Sequence, residues 1–301
     1  MEVDVKLIKQ RTFSEKFFRG LFLTGALFSV ATVIAIIILI FTRGARPFLP
    51  GNVYGNYNFL DFITGLFWRP SFGEFGIGYM IFGSIFATFG AVILGVPIGI
   101  LTAVFIVEIA PPWLAKIMQP TVELLAAIPS VLYGVFGFAV IVPMIHNISP
   151  QPTGHSLFAV ILVLTIMVLP SIVAISTTSL RAVPKHYKEG SLALGASRIQ
   201  TIFKVLIPSA KSGILTAIVL GVGRAIGETM AVILVAGNPE SGIPTSIFDQ
   251  VRLLTTNIVL EQGYATGLQA QMLFSTVIVL FTFILLINLT LTKIRKKAVS
   301  E

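Results

Sequence analysis

No cysteine occurs among the 301 residues, and charged side chains make up only 11% of them. The first absence removes disulfides and thiolate chemistry. The second removes a soluble globular domain, whose water-facing surface needs about 25% charged residues. There is no acidic tail, Gln/Asn tract or Pro-rich linker, and no G-x-x-x-x-G-K-[ST] run that would cradle ATP in a P-loop. Histidines 146, 155 and 186 are scattered, whereas a metal needs convergent ligands. No nucleophile stands beside a base, so neither catalytic chemistry nor a cofactor is assigned.

What is present is apolar: 55% of the residues, with a mean hydropathy of +0.93. The net charge of +8 does not point to nucleic acid, because the charges avoid the long apolar runs and gather between them. That is the pattern of membrane topology. The sequence predicts an all-α integral membrane protein whose main external contact is lipid, with six spans at about 17–41, 78–107, 124–145, 157–180, 213–236 and 272–291. The first run, 25 residues long, reaches about 37 Å as a helix, enough to cross a bilayer with some tilt. It lacks a cleavage site and reads as an uncleaved helix. The second carries a ridge of Gly83, Ala87, Ala91, Gly95 and Gly99, and the fifth a ridge of Gly213, Ala217, Gly221 and Ala225. Small residues four apart let another helix approach closely. Pro129, Pro143 and Pro170 in the third and fourth runs are candidate kinks. The sixth run is plain and lipid-facing.

Counting Lys and Arg on alternate sides gives sixteen on the side of the amino terminus against Arg43, Arg46, Arg69 and Arg252 on the other, with Arg224 inside the fifth run. The bias predicts both termini in the cytoplasm. Residues 1–16 are then a cytoplasmic segment, 17–292 the transmembrane domain, 181–208 its main cytoplasmic loop and 293–301 a cytoplasmic tail. Two outer segments are long. Residues 42–77 include a candidate interfacial helix around Phe59–Trp68, and residues 237–271 contain a stretch amphipathic enough to dip back or lie flat. Each reads equally as a partner surface or as a cap over the bundle.

The loop "RAVPKHYKEGSLALGASRIQTIFKVLIP" predicts two short helices at the inner surface, with Pro184 in the first turn, a stop at Gly195, an N-cap at Ser197 and a turn back into the membrane at Pro208. It resembles the cytoplasmic signature of ABC importer permeases: EAA, three residues, G, nine residues, I, any residue, L, P. Here the positions hold Glu189, Gly190, Ser191, Gly195, Val205, Ile207 and Pro208, so Glu, Gly and Pro agree in register while the alanines and aliphatics are replaced by similar residues. The resemblance implies the type I permease fold and a coupling loop that docks into a cytoplasmic ATPase, with Glu189 and Gly195 holding its shape.

Within the fifth run, "GVGRAIGETMAV" sets Arg224 and Glu228 four residues apart, the spacing of one helix face, with Gly221, Gly223, Ala225 and Gly227 around them. A charged residue at mid-bilayer costs about 2.5–3.5 kcal/mol on insertion scales, so both must face protein or a water-filled path. Either the pair neutralises itself and locks helices, or Arg224 offers planar donors to an oxyanion while Glu228 accepts the proton of a partly protonated one, as in phosphate but not sulfate. Together with "IPSVLYGVFG" at 128–137 and "EGSLALGASRIQTI" at 189–202, this segment resembles the phosphate-specific branch of ABC permeases, and within it the PstC family more than the PstA family. That resemblance implies Arg224 and Glu228 on the substrate path, a homologous PstA-like permease as partner, a PstB-like ATPase dimer below and a PstS-like phosphate-binding protein outside. The alternatives are a permease for molybdate, sulfate or phosphonate, and, from other classes, a self-contained carrier or channel and a membrane sensor.

Overall fold

The computed structural model describes residues 5–300, with side chains for 15–297. The side chains of Lys6, Lys9 and Arg11 lie outside the described residues. The helices, in chain order, are α1 Val5–Gly44, α2 Phe59–Thr64, α3 Gly78–Val104, α4 Pro112–Ala127, α5 Ser130–Phe136, α6 Val142–His146, α7 Leu157–Arg181, α8 Lys185–Ala193, α9 Arg198–Thr201, α10 Ile207–Ser209, α11 Lys211–Gly227, α12 Met230–Ile233, α13 Leu254–Glu261 and α14 Gly267–Ser300. Wider π turns follow α3 at Phe105–Ile109, α5 at Gly137–Ile141 and α9 at Ile202–Leu206. Among the described residues, four helices are long and apolar enough to cross a membrane singly. Two bent pairs, Pro112–Ala127 with Ser130–His146 at 97° and Arg198–Ser209 with Lys211–Gly227 at 71°, make six if each pair is one span.

The hub is α7, whose most apolar stretch is 61% buried, whereas that of α1 is 0% buried. Between lipid-embedded helices there is no water to expel, so close packing has to hold them together. The small-residue ridges meet that need. Gly95 and Gly99 of α3 face Val168 and Ile172 of α7, and Gly213 and Gly221 of α11 face Ser179 and Ile172. Ala87, Ala91, Ala217 and Ala225 are fully enclosed in the same core. Helix α1 stands outside this core and leans on α14, where the Ser275 hydroxyl donates to the Gly44 carbonyl at 2.7 Å and Phe41 meets Phe281 edge to face. Their contacts run in opposite directions along the two helices.

The third apolar run is not one helix. α4 ends at Ala127, the chain is extended at Ile128 and Pro129, and α5 leaves at a steep angle. Pro129 has no N–H for the carbonyl of Leu125, four residues back. That carbonyl accepts the Ile128 N–H at 3.2 Å and the Tyr133 hydroxyl at 2.7 Å. Pro143 follows directly on the π turn Gly137–Ile141 within the continuous helical stretch Ser130–His146, and Pro170 lies inside a continuous α7.

The two long segments predicted outside the membrane come together as a cap. Strands β1 Trp68–Arg69 and β2 Glu74–Phe75 pair antiparallel. Trp68 is fully buried against Phe75, and its backbone N–H donates to the Glu240 carbonyl at 2.9 Å. Helix α2 covers Phe59–Thr64, shorter than the stretch expected around Phe59–Trp68. Helix α13 dips inward, burying Leu254, Thr255, Thr256 and Asn257. Asp249 ties the loop before it. Burial pushes its pKa up, but N–H groups of Ser246 and Thr245, the Thr245 hydroxyl and the Gln151 amide donate to it and hold it below its usual value of 3.8.

A carboxylate depressed in the folded state adds stability above its unfolded pKa and loses it as the pH falls through the folded value. The protection of residues 245–251 against hydrogen exchange, taken relative to the intrinsic rate at each pH, should therefore hold down to the carboxylate range and fall below 3.8, and Asp249→Asn should remove that step. At Gly134 an added Cβ would sit 2.7 Å from the Ala231 backbone. Gly134→Val should destabilise the folded chain by about 1–3 kcal/mol, read as a lower Tm in detergent. An unchanged Tm would mean that α5 and α12 do not meet there.

Candidate functional site

Arg224 occupies the last turn of α11, half-buried, where the negative end of the helix dipole favours a cation. Its Nη1 donates to the Ser171 hydroxyl of α7 at 2.9 Å, the one hydrogen bond this guanidinium makes among the described residues. Ser171 follows Pro170 near the middle of α7, so the guanidinium lies deep within the bundle.

Glu228 is not on the same helix face as Arg224, contrary to the sequence expectation, because α11 stops at Gly227 and Glu228 is extended (φ −72°, ψ 133°). Three groups hold the break. The Glu228 Oε1 accepts the Ala231 N–H at 3.0 Å, the Thr255 hydroxyl of α13 donates to the Glu228 carbonyl at 3.0 Å, and α12 then packs on α5 through Gly134. The carboxylate caps the short helix after it rather than extending the one before it. Glu228 is 9% exposed, and no ion pair joins it to Arg224. The idea that the two merely neutralise each other therefore has no contact to support it. Beside them, a Cβ at Gly227 would meet nothing within 4 Å, and one at Gly223 only the Asn288 oxygen at 3.9 Å. The segment "IPSVLYGVFG" packs against the residues that follow Glu228, where Gly134 lies against the Ala231 backbone.

Far along the bundle, α8 and α9 form the expected helical hairpin. Gly195 turns it with φ +86°, a left-handed conformation that favours glycine. Ser197 caps α9 by accepting the Gln200 N–H at 3.2 Å, with Gln200 returning the bond to the Ser197 N–H. Pro184 precedes α8 as its cap, and Pro208 lies in the short helix α10, ahead of the bend into α11. The Ser191 and Thr201 hydroxyls join the two arms at 3.0 Å. Glu189 is exposed, and its side chain makes no hydrogen bond or ion pair among the described residues. A Cβ at Gly190 meets open space. The hairpin presents Leu194, Ile199 and Phe203 outward, with Leu194 92% exposed.

Sequence reasoning passed over Ser171, Tyr133 and Thr255, since a lone hydroxyl on an apolar helix carries no periodic signal. It also took Arg252 for an outer-loop charge. Arg252 is 4% exposed and ion-paired with Glu261, which accepts a further bond from Gln269 at 2.7 Å. These residues fasten α13 under the cap.

Residues 95–298 match the family model described as "Binding-protein-dependent transport system inner membrane component". The "Probable ABC transporter permease protein YqgH" of Bacillus subtilis is 41% identical over 96% of this chain and 95% of its own length. The "Phosphate transport system permease protein PstC" of Pasteurella multocida is 35% identical over 76% of this chain and 79% of its own. In fold, the chain resembles a protein in the crystal structure of a bacterial ABC transporter that imports alginate, with a TM-score of 0.67 at 15% identity over 96% of this chain and 98% of that one. With several apolar helices packed in this arrangement, the chain belongs to the binding-protein-dependent transport system inner membrane components, the multi-pass permeases of ABC importers.

Proposed function

We propose that this chain is the permease subunit of an ATP-driven phosphate importer and lines half of the translocation path, with a homologous PstA-like permease lining the rest. The observation that carries the reading is the state of Arg224: a guanidinium deep among apolar helices, with one donor on Ser171 and no carboxylate partner. Arg224 is half-buried, so its remaining donors are not sealed in the core and stay open to a visiting anion. A phosphate oxyanion fits the planar donors, and the open flank at Gly223 and Gly227 gives it room. Glu228 keeps one oxygen on Ala231, and the other is free to accept the proton of a partly protonated phosphate. The PstC relatives are phosphate permeases by name, which supports the same substrate.

In this reading the chain crosses the membrane six times with both termini in the cytoplasm. Two observations support that orientation. α1 and α14 lie antiparallel, and Arg295 near the end of α14 reaches Thr216 near the start of α11, so both termini leave on the side of the α8–α9 hairpin. That side carries the basic excess. The hairpin, residues 181–208 with Glu189, Gly190, Gly195 and Pro208, faces a PstB-like ATPase dimer that supplies the ATP hydrolysis this chain does not perform. Its exposed Leu194 and Ile199 suit an apolar cleft. A PstS-like phosphate-binding protein docks on the outer cap. ATP binding draws the hairpins together and opens the path outward, and hydrolysis resets it. Each ligand biases one of two states by its differential affinity.

The test is ATP-dependent uptake of labelled phosphate into vesicles carrying the assembled complex, with ATP hydrolysis followed in the same samples. Losing charge-assisted bonds worth about 1.5–3 kcal/mol, Arg224→Gln should cut uptake at least about tenfold while assembly and hydrolysis persist. Ser171→Ala should raise the KM for phosphate, and Ser171→Thr should restore it. Glu228→Gln should let sulfate compete where the wild type ignores it. Full uptake by Arg224→Gln would sink the reading.

A further inference from the structure

α3 does not end as an ordinary helix. Its last turn widens into the π turn Phe105–Ile109, with the Ala110 N–H reaching back to Phe105 at 2.7 Å. Opposite it stands a second π turn, Ile202–Leu206, at the end of the α8–α9 hairpin. Ile106 from the first is buried with Ile202 and Leu206 from the second. Such turns recur at functional sites. A small cavity of about 70 Å³ lies between them, lined by Glu108, Lys188 and Arg198 among others.

Across it the Lys188 Nζ of α8 donates to the Glu108 Oε2 at 2.5 Å; the Glu108 side chain is only 11% exposed. This is the one ion pair among the described residues that joins the hairpin to the helix bundle. Breaking a pair that leaves a carboxylate enclosed is costly, so a movement of α8 carries the end of α3 with it. α3 in turn packs along α7, the helix that holds Ser171 against Arg224.

We propose that the Glu108–Lys188 pair is the positioning contact through which displacement of the α8–α9 hairpin is passed to α3 and so to the path. The proposal rests on the reading of that hairpin as the ATPase-facing loop. Coupling is a free energy between two sites, and a charge swap measures it directly. The whole transporter, with partner permease and ATPase, is reconstituted in vesicles, and phosphate uptake and ATP hydrolysis are measured together for wild type, Glu108→Lys, Lys188→Glu and the double variant.

Each single variant should retain hydrolysis and the wild-type KM for phosphate, yet move about tenfold less phosphate per ATP, and the double variant should recover to within about threefold of wild type. Copurification of the ATPase reports assembly. If a reversal does not assemble, Glu108→Gln, which keeps shape and an accepting oxygen, should still lower the ratio. Single variants at the wild-type ratio, a double variant no better than the singles, or a Glu108→Gln ratio equal to wild type would each overturn this proposal while leaving phosphate transport standing. A wild-type complex that hydrolyses ATP without moving phosphate would overturn both.

Discussion

Inside a bilayer no water is available to pair with a freed backbone group, and every interruption of a helix has to be answered by protein. The structure turns on two such interruptions. At Pro129 the carbonyl of Leu125 is shared by the Ile128 N–H and the Tyr133 hydroxyl, and at Glu228 the chain is held from both sides by Thr255 and by the side chain's own bond to Ala231. Both breaks lie in segments that meet through Gly134 and Ala231. The places where helical order is given up are therefore joined in one region, and Arg224 is beside it.

The rest of the bundle makes that region possible. α7 is enclosed on several sides because its neighbours bring glycines and alanines against it. Ser171 can then stand at a fixed point facing Arg224. Close packing, the main attraction left between helices in lipid, also provides the rigidity that a hydrogen-bonded guanidinium needs. The face carrying Gly223 and Gly227 is not closed in this way, since a Cβ at Gly227 would meet nothing within 4 Å.

The two ends of the bundle are built differently. The cap at one end is dense, with Trp68, Tyr79 and the Arg252–Glu261 pair buried under short strands and α13. The hairpin at the other end is sparsely covered, its shape kept by Gly195, the Ser197 cap and the Ser191–Thr201 bridge. The hairpin is tied to the core by the Glu108–Lys188 pair and by the burial of Ile202 and Leu206 against Ile106.

Much of this was legible in the residues. Composition alone required lipid, the four-residue spacing of small side chains anticipated the α3–α7–α11 packing, and Gly195 and Ser197 marked the hairpin because local backbone chemistry fixes turns and caps. Arg224 and Glu228 were identifiable because charge in an apolar run is too costly to be incidental. What escaped depended on contacts distant in sequence. The Arg224 partner is 53 residues away, and the hydroxyl that holds Glu228 is 27 away. The helix break at Gly227 could not be read from four-residue spacing, which assumes an unbroken helix. Helical periodicity is a property of neighbouring residues, so the sequence determined which stretches are apolar, basic or turning. Where a helix stops, and which carbonyl a hydroxyl reaches, is decided only when the whole bundle has closed.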